Sequence, residues 1–465
     1  MSLIPAGPYR TLTTVEGLAF PYYIIPFDAD GQCVGPQTRQ HLLDHCGEYS
    51  DVFVFSHGWN NDWTSATKRY EAFIEGFQAQ RKSLGLAMPA GYRPLLVGVF
   101  WPSQSLEWFE SETGPGFAAG AGPAAQDAAA DASSRFLADI AGELPAQRRG
   151  RFFELAGAES LNEAEARELA TLLASTRASA GDDEAGASTA PSADDLLAAA
   201  ATFAAVSAEP DYDAVGTVAA PAGATPAGTV PTVGAPARGP QAAFGLGDVL
   251  KKIDPRQLLK PFTVWQMKDR AGKVGGRGVA EVLAGLLAKS QARVHVLGHS
   301  YGCKVVMTAV CALPAGLRKL QSALLLQPAV SQYAFAIDVP DHPGVHGGFR
   351  PALGRVAGPI VATFSDRDGP LHDMFHLSMR RAVDLGEQPV IAGGPPSPYC
   401  ALGGYGPQAS DAIVVDIVDP PQPYDFSAAG GRIVGVRGTR TISGHGDINN
   451  ASTWWLAYTL ASQAP

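Results

Sequence analysis

Gly298-His299-Ser300-Tyr301-Gly302 is the stretch of this 465-residue chain whose residue types and spacing point most directly to chemistry. The apolar run Val294-His295-Val296-Leu297 leads into it and the apolar segment Cys303–Val310 leaves it, so it reads as a strand-to-helix turn. Such a turn lifts a serine hydroxyl above the strand end, the glycines allow close backbone approach, and the helix start aims N–H groups at a developing oxyanion. A serine so placed is an acyl-transfer nucleophile once a base and an acid reach it. His445, in Ser443-Gly444-His445-Gly446-Asp447, lies in a glycine-flanked loop able to carry an imidazole over that serine, and Asp366 and Asp368 follow the apolar run Pro359–Phe364. Other candidates have plainer readings. His372 and His376 with Asp368 suggest metal ligands, but no further ligand cluster supports them and a solvated helix face is simpler. Asp28-Ala29-Asp30-Gly31 lacks the later ligands of a calcium loop and reads as a turn. Cys303 is expected to be a small buried residue behind the serine, and His295 a core histidine.

The elements that must hold these residues alternate between strand and helix. Asp51–Ser56 and Pro94–Trp101 read as buried strands, with the helix Asn61–Leu86 between them placing Tyr70, Phe73, Ile74 and Phe77 on one face. Beyond residue 250 the pattern predicts the helix Gly276–Ser290, the strand Ala292–Leu297, the helix Tyr301–Cys311 and the strands Ala323–Gln327 and Pro359–Phe364. It continues with the helix Met374–Ala382, the strand Arg432–Val436 and the helix Asn450–Ala461. Apolar strands without strict alternation, most followed by a helix, predict an α/β fold with a mostly parallel sheet covered on both faces. Between Glu110 and Leu250 the composition changes: no lysine, seven arginines and twenty acidic residues, in a setting rich in Ala, Gly, Pro, Ser and Thr. We therefore expect a core from residues 1–109 and 251–465 and an insertion over 110–250. The insertion is helical at Ser160–Ser175, paired with Arg148–Leu155, and irregular over Ala214–Pro240, where prolines recur at 221, 226, 231 and 236.

The stretches Val52–Asn61 (with His57-Gly58-Trp59-Asn60-Asn61), Phe100-Trp101-Pro102-Ser103, Gly298–Gly302 and Ser365–Leu371 together resemble a serine esterase or lipase of the α/β-hydrolase fold. The similarity is greatest to a bacterial branch with an HG-aromatic-Asn-Asn loop, a W-P-S sequence and a G-H-S-x-G turn, and it covers about half the chain, leaving the insertion without a counterpart. The resemblance implies the chain order Ser, acid, His. Five of the ten histidines precede Ser300, which leaves His342, His346, His372, His376 and His445, and the loop position favours His445. It favours Asp368 as the acid, because Ser365-x-x-Asp368-x-Pro370-Leu371 is similar to the acid loop of such enzymes, with Asp366 as the alternative. The strand before it ends in Gln327-Pro328-Ala329-Val330-Ser331, without a carboxylate. It also implies that the Trp59 and Tyr301 N–H groups form the oxyanion hole; the plainer reading of His57-Gly58-Trp59 is a turn whose His57 only hydrogen-bonds the loop. Asn60 and Asn61 then open the following helix, an ordinary capping use of Asn.

The resulting expectation is hydrolysis of carboxylic esters, lipid or otherwise hydrophobic, through Ser300, His445 and Asp368, with no cofactor and no metal. A thioesterase or peptidase on the same residues and a non-catalytic binding protein of this fold are the competing readings. If the insertion is a lid, Phe136, Leu137, Phe152, Phe153 and Leu155 are expected to cover Ser300; otherwise it is a linker. A net charge of −10 argues against nucleic acid as a partner. The longest apolar run, near Leu196–Val206, is far short of the roughly 20 residues of a membrane span. The N-terminal residues have no signal-peptide pattern, and Cys33, Cys46, Cys303, Cys311 and Cys400 include no C-x-x-C. A reduced, cytoplasmic chain is the simplest expectation, with signal-independent export and any oligomeric state left open.

Overall fold

The computed structural model describes residues 4–15, 18–103, 134–176, 192–207, 253–340, 343–375, 400–426, 429 and 431–462. Within these, nine strands form one sheet: β1 (Arg10–Val15), β2 (Leu18–Pro26), β3 (Asp51–Ser56), β4 (Pro94–Phe100), β5 (Arg293–His299), β6 (Ser322–Leu326), β7 (Ile360–Phe364), β8 (Ile413–Asp416) and β9 (Ile433–Arg437). The spatial order is β1-β2-β4-β3-β5-β6-β7-β9-β8. Only the β1–β2 hairpin is antiparallel; every other pairing is parallel.

Strand side chains alternate between two cores, as a period of two requires. Val52, Val54, Val97, Val99, Val294 and Val296 face one. Phe53, Phe55, Leu96, Leu297, Leu324 and Leu326 face the other. The first face is covered by α1 (Pro36–His45) and by a long helical run: α7 (Pro255–Lys273), a wide π-type turn over Val274–Val279, and α8 (Ala280–Lys289). The helix after the nucleophile candidate, α9 (Tyr301–Cys311), packs there too. The second face is covered by α2 (Trp63–Ser83), through Tyr70, Phe73, Ile74 and Phe77, and by α10 (Ala451–Ser462), through Leu456 and Leu460.

The insertion folds around a third apolar cluster. Its helices are α3 (residues 134–143), α4 (Ala146–Ala156), α5 (Glu163–Ser175) and α6 (Ala193–Ser207). Asn162 and Glu165 form a reciprocal capping box at the start of α5, and Arg151 of α4 pairs with Glu168 of α5. The cluster runs past the expected boundary at Leu250, because Ile253, Leu258, Leu259 and Phe262 of the next helix complete it. Helix α7 thus belongs to two units: Phe262 lies in the insertion's core, Met267 and Ala271 lie on the sheet, and Trp265 packs against both. Gly272 passes Lys304, while Gly275 and Gly276 pass Val305 and Thr308, so α7 and α9 run side by side in the same direction. At 1.5 Å per residue, the first half of α7 therefore projects roughly 10–20 Å beyond the level of Tyr301. The insertion's core stands beyond the C-terminal edge of the sheet.

The expected proline- and glycine-rich segment 214–240 lies outside the described residues, as do His342, His376 and most of the expected helix over 374–382. Among the described residues no helix is long and apolar enough to cross a membrane.

Candidate active site

Ser300 is the hinge between β5 and α9. Its backbone sits at φ 56° and ψ −126°, a strained conformation for an L-residue that costs roughly 1–3 kcal/mol. Several bonds hold it there: Ser300 N–H donates to Leu326 O (3.1 Å), and Ser300 O accepts from Cys303 N–H (3.0 Å) and Ala329 N–H (3.2 Å). The flanking glycines are required by contact. A Cβ on Gly298 would stand 2.6 Å from the Cys303 backbone, and one on Gly302 would collide with the carbonyl oxygens of Ser56 and His57. Cys303 is fully buried behind the turn, and burial pushes its thiol pKa well up, so it is a packing residue.

Three of the expected site residues meet at this edge. Ser300 Oγ lies 2.9 Å from His445 Nε2, and His445 Nδ1 lies 2.9 Å from Asp368 Oδ2. Asp368 is fully buried, whereas the His445 side chain is 25% exposed and accessible from outside. Because an ionised carboxylate only accepts, Nδ1 carries the proton and Nε2 is left to accept from the serine hydroxyl. The arrangement can move a proton from Ser300 Oγ to His445 and stabilise the imidazolium that results.

Local sequence explains how each side chain is held. After β7, Asp368 N–H donates to Ser365 O, Ser365 Oγ donates to Ile442 O, and Leu371 N–H donates to Asp368 Oδ1. One carboxylate oxygen is thus anchored in its own loop and the other presented to His445. Asp366, two residues earlier, is exposed on the outside of the turn. The His445 loop is closed by Asp447, which accepts from Ser443 N–H and Oγ–H, and by Asn450, which caps α10 through the N–H groups of Ser452 and Thr453. Burial acts to raise the Asp447 pKa, but the hydrogen bonds from Ser443 and Asn450 outweigh it and hold the carboxyl below its ordinary value.

The loop after β3 packs directly on the serine: a Cβ on Gly58 would lie 2.7 Å from Ser300 Cβ. His57 is buried, and burial lowers its pKa to about 4, so its ring is neutral. Its Nδ1–H donates to Gly58 O (2.8 Å), its Nε2 accepts from Trp101 N–H (3.3 Å), and its ring stacks on Trp101. Asn61 Nδ2 donates to Gly58 O and to Trp59 O, while Ser103 O and Oγ accept from Asn60 N–H and Asn61 N–H. The Gly58–Trp59 peptide is therefore pinned by its carbonyl inside the loop, and in a trans peptide the Trp59 N–H points the opposite way. This corrects the capping expectation. Asp62, accepting from Ser65 N–H, caps α2, and Asn60 (φ 58°) and Asn61 serve the loop. The Tyr301 ring is buried and meets Trp59 edge-to-face at 6.0 Å.

Two residues of this site escaped the sequence reading. His299 Nε2–H donates to His445 O (2.8 Å), and burial, then the nearby Arg69 charge, holds the His299 pKa well below its ordinary value. Gln327, at a left-handed φ of 44° after β6, donates through Nε2 to Gly444 O (2.7 Å) and His445 O (3.1 Å) and lies 3.4 Å from Asp368 Oδ2. Its place at the C-terminal end of the strand beside β7 is the signal the sequence offers for it.

The side chains named for a lid pack mainly within the insertion. Phe136, Phe152 and Leu155 are buried in the insertion's own cluster, Leu137 packs against it, and Phe153 is exposed. Helices bury their apolar stripes against one another first, so most of these side chains build a core within the insertion.

A second Ser–His–Asp chain lies at the opposite, N-terminal end of the strands. His295 Nδ1 is 2.8 Å from Ser322 Oγ, His295 Nε2 is 3.2 Å from Asp51 Oδ1, and Arg293 pairs with Asp51. All three members of the chain are buried, so no substrate reaches them, and the chain ties β3, β5 and β6 together. Among the described residues no group of His, Cys, Asp and Glu side chains could hold a metal ion.

No protein-family model matches this chain, and no curated protein or solved structure is significantly similar to it.

Proposed function

We propose that the protein is a serine hydrolase of the α/β-hydrolase fold that cleaves carboxylic esters through an acyl-enzyme. The observation that carries this reading is the linear relay from Ser300 Oγ through His445 to Asp368, two contacts of 2.9 Å at the C-terminal edge of a parallel sheet. His445 takes the hydroxyl proton as Ser300 attacks the carbonyl carbon, and Asp368 holds the imidazole tautomer and stabilises its charge. The oxyanion that forms is received by the N–H of Trp59, from the loop pinned by His57 and Asn61, and by the N–H of Tyr301, at the start of α9. His445 then protonates the leaving alcohol and activates the water that frees the acyl group. The insertion, standing beyond this edge of the sheet, is available to shape the acyl site.

The test is labelling by a fluorophosphonate probe together with a series of 4-nitrophenyl esters of graded chain length. Ser300→Ala is expected to abolish labelling and to lower turnover by about 10³-fold or more while leaving the circular dichroism spectrum unchanged. An alanine variant that turns these esters over at the wild-type rate would overturn the assignment.

A further inference from the structure

Arg69 stands out among the cations of this chain. Many of the described arginines have a carboxylate partner: Arg10 with Glu71, Arg39 with Glu281, Arg151 with Glu168, Arg293 with Asp51, Arg350 with Asp411 and Arg440 with Asp419. The Arg69 side chain makes no hydrogen bond and no ion pair among the described residues, although the chain has 45 acidic side chains. It is also half-buried, and burial pulls its pKa down. A cation held in such a place without a counter-charge is costly, and that cost is offset when an anion arrives.

Its position says which anion. Helix α2 starts at the C-terminal edge of the sheet and runs back along it, and helical side chains lean toward their N-terminus, so Arg69 leans toward that edge. The next residue, Tyr70, accepts from His57 N–H and donates to Val99 O, which fixes the register of α2 against the loop that packs on Ser300. The Arg69 charge bears on the rings of His57 and His299, the two neutral histidines that flank Gly58 and Ser300.

We propose that Arg69 is a specificity residue of this site and receives a carboxylate or phosphate carried by the substrate, so that the preferred esters are anionic. The inference rests on the hydrolase reading above and narrows it. It departs from the lipid or otherwise hydrophobic esters that the sequence suggests.

The experiment compares two matched pairs of esters on the full-length protein. In 4-nitrophenyl hydrogen succinate and its methyl ester the charge is on the acyl side; in 4-acetoxybenzoate and methyl 4-acetoxybenzoate it is on the leaving side. The wild type is expected to favour the anionic member of at least one pair in kcat/KM. Arg69→Gln is expected to lower that anionic-to-neutral ratio by roughly 10- to 100-fold, and Arg69→Glu to reverse it. Arg69→Lys should keep part of the preference, and raised salt should erode it in the wild type, so a misfolded glutamine variant does not end the test. Independently of turnover, succinate or inorganic phosphate should raise the melting temperature of the wild type more than that of Arg69→Gln.

Preference for the neutral member of both pairs, or an equal loss on both members in Arg69→Gln, would overturn the proposal. Failure of the hydrolase reading looks different: no ester is turned over and the fluorophosphonate probe does not label Ser300, and the inference then falls with it.

Discussion

A carboxylate orients an imidazole only from within hydrogen-bond distance, and of the two aspartates after β7 only Asp368 is there, 2.9 Å from His445 Nδ1 and fully buried. Asp368→Asn is therefore expected to lower kcat by roughly 10⁴-fold, because an amide can hold the wrong tautomer, whereas Asp366→Asn should stay within about twofold of wild type. Steady-state rates on one activated ester decide it, and equal mild losses would move the acid elsewhere. Gln327 belongs to the same scale. Its amide ties the His445 loop to the acid without touching the serine. Gln327→Met, close in volume and without the donor, is expected to lower kcat roughly 10- to 100-fold at nearly constant KM. A change in KM alone, or loss of folding in place of kcat, would remove Gln327 from this positioning role.

At the scale of elements, local signals located what local physics decides. The helix Tyr301–Cys311 has the bounds its sequence predicts, because its start is set by the strained serine and its apolar face is continuous. Strands β3, β4, β6 and β7 fell within a residue of expectation, since both of their faces are buried and the apolar runs end where burial ends. Elements whose order depends on tertiary contact were not legible. The β1–β2 hairpin, β8 with its alternating exposure, and α7, which carries Pro261 and polar residues that are buried against two partners, give no clear periodic signal. In the site, Ser300, His445 and Asp368 carry motif signatures, whereas Gln327 and His299 act through contacts between residues 41 to 146 positions apart that no local pattern encodes.

Helix α7 carries an element-scale prediction. Phe262 is fully buried in the insertion's cluster and lies outside the sheet cores. Phe262→Ala should cost about 3–5 kcal/mol of the insertion's stability. In limited proteolysis, cleavage within α4 and α5 should then precede cleavage of the sheet, and turnover should shift between short- and long-chain esters if the insertion shapes the acyl site. Simultaneous loss of both regions would show that the third cluster does not unfold separately.

Among the described residues, burial holds three histidines toward the neutral form. Burial lowers the pKa of His57 to about 4, and it also depresses those of His295 and His299. A histidine with a depressed folded-state pKa binds its proton more readily in the unfolded chain, so the stability it allows is complete above the unfolded value of about 6.5 and is lost as pH falls toward the folded value. His57 alone accounts for roughly 3 kcal/mol between pH 6.5 and 4. Asp51 extends the loss to lower pH: burial acts to raise its pKa, but hydrogen bonds from His295 and Ser50 hold it below the ordinary carboxylate range. The arrangement of these groups makes the effect global, because His57 and His299 brace the loops around Ser300 while His295 joins three central strands at the other end. Urea unfolding measured from pH 8 to pH 5 should accordingly show a level midpoint above about pH 7 and a steep decline below 6.5, with proton uptake on unfolding. Replacing His57 by glutamine, which keeps a donor toward Gly58 O without a titrating ring, should flatten part of that decline. A midpoint that is level down to pH 5 would mean that the buried rings are already charged in the fold, and the neutral scaffold assigned to the nucleophile's loop would have to be abandoned.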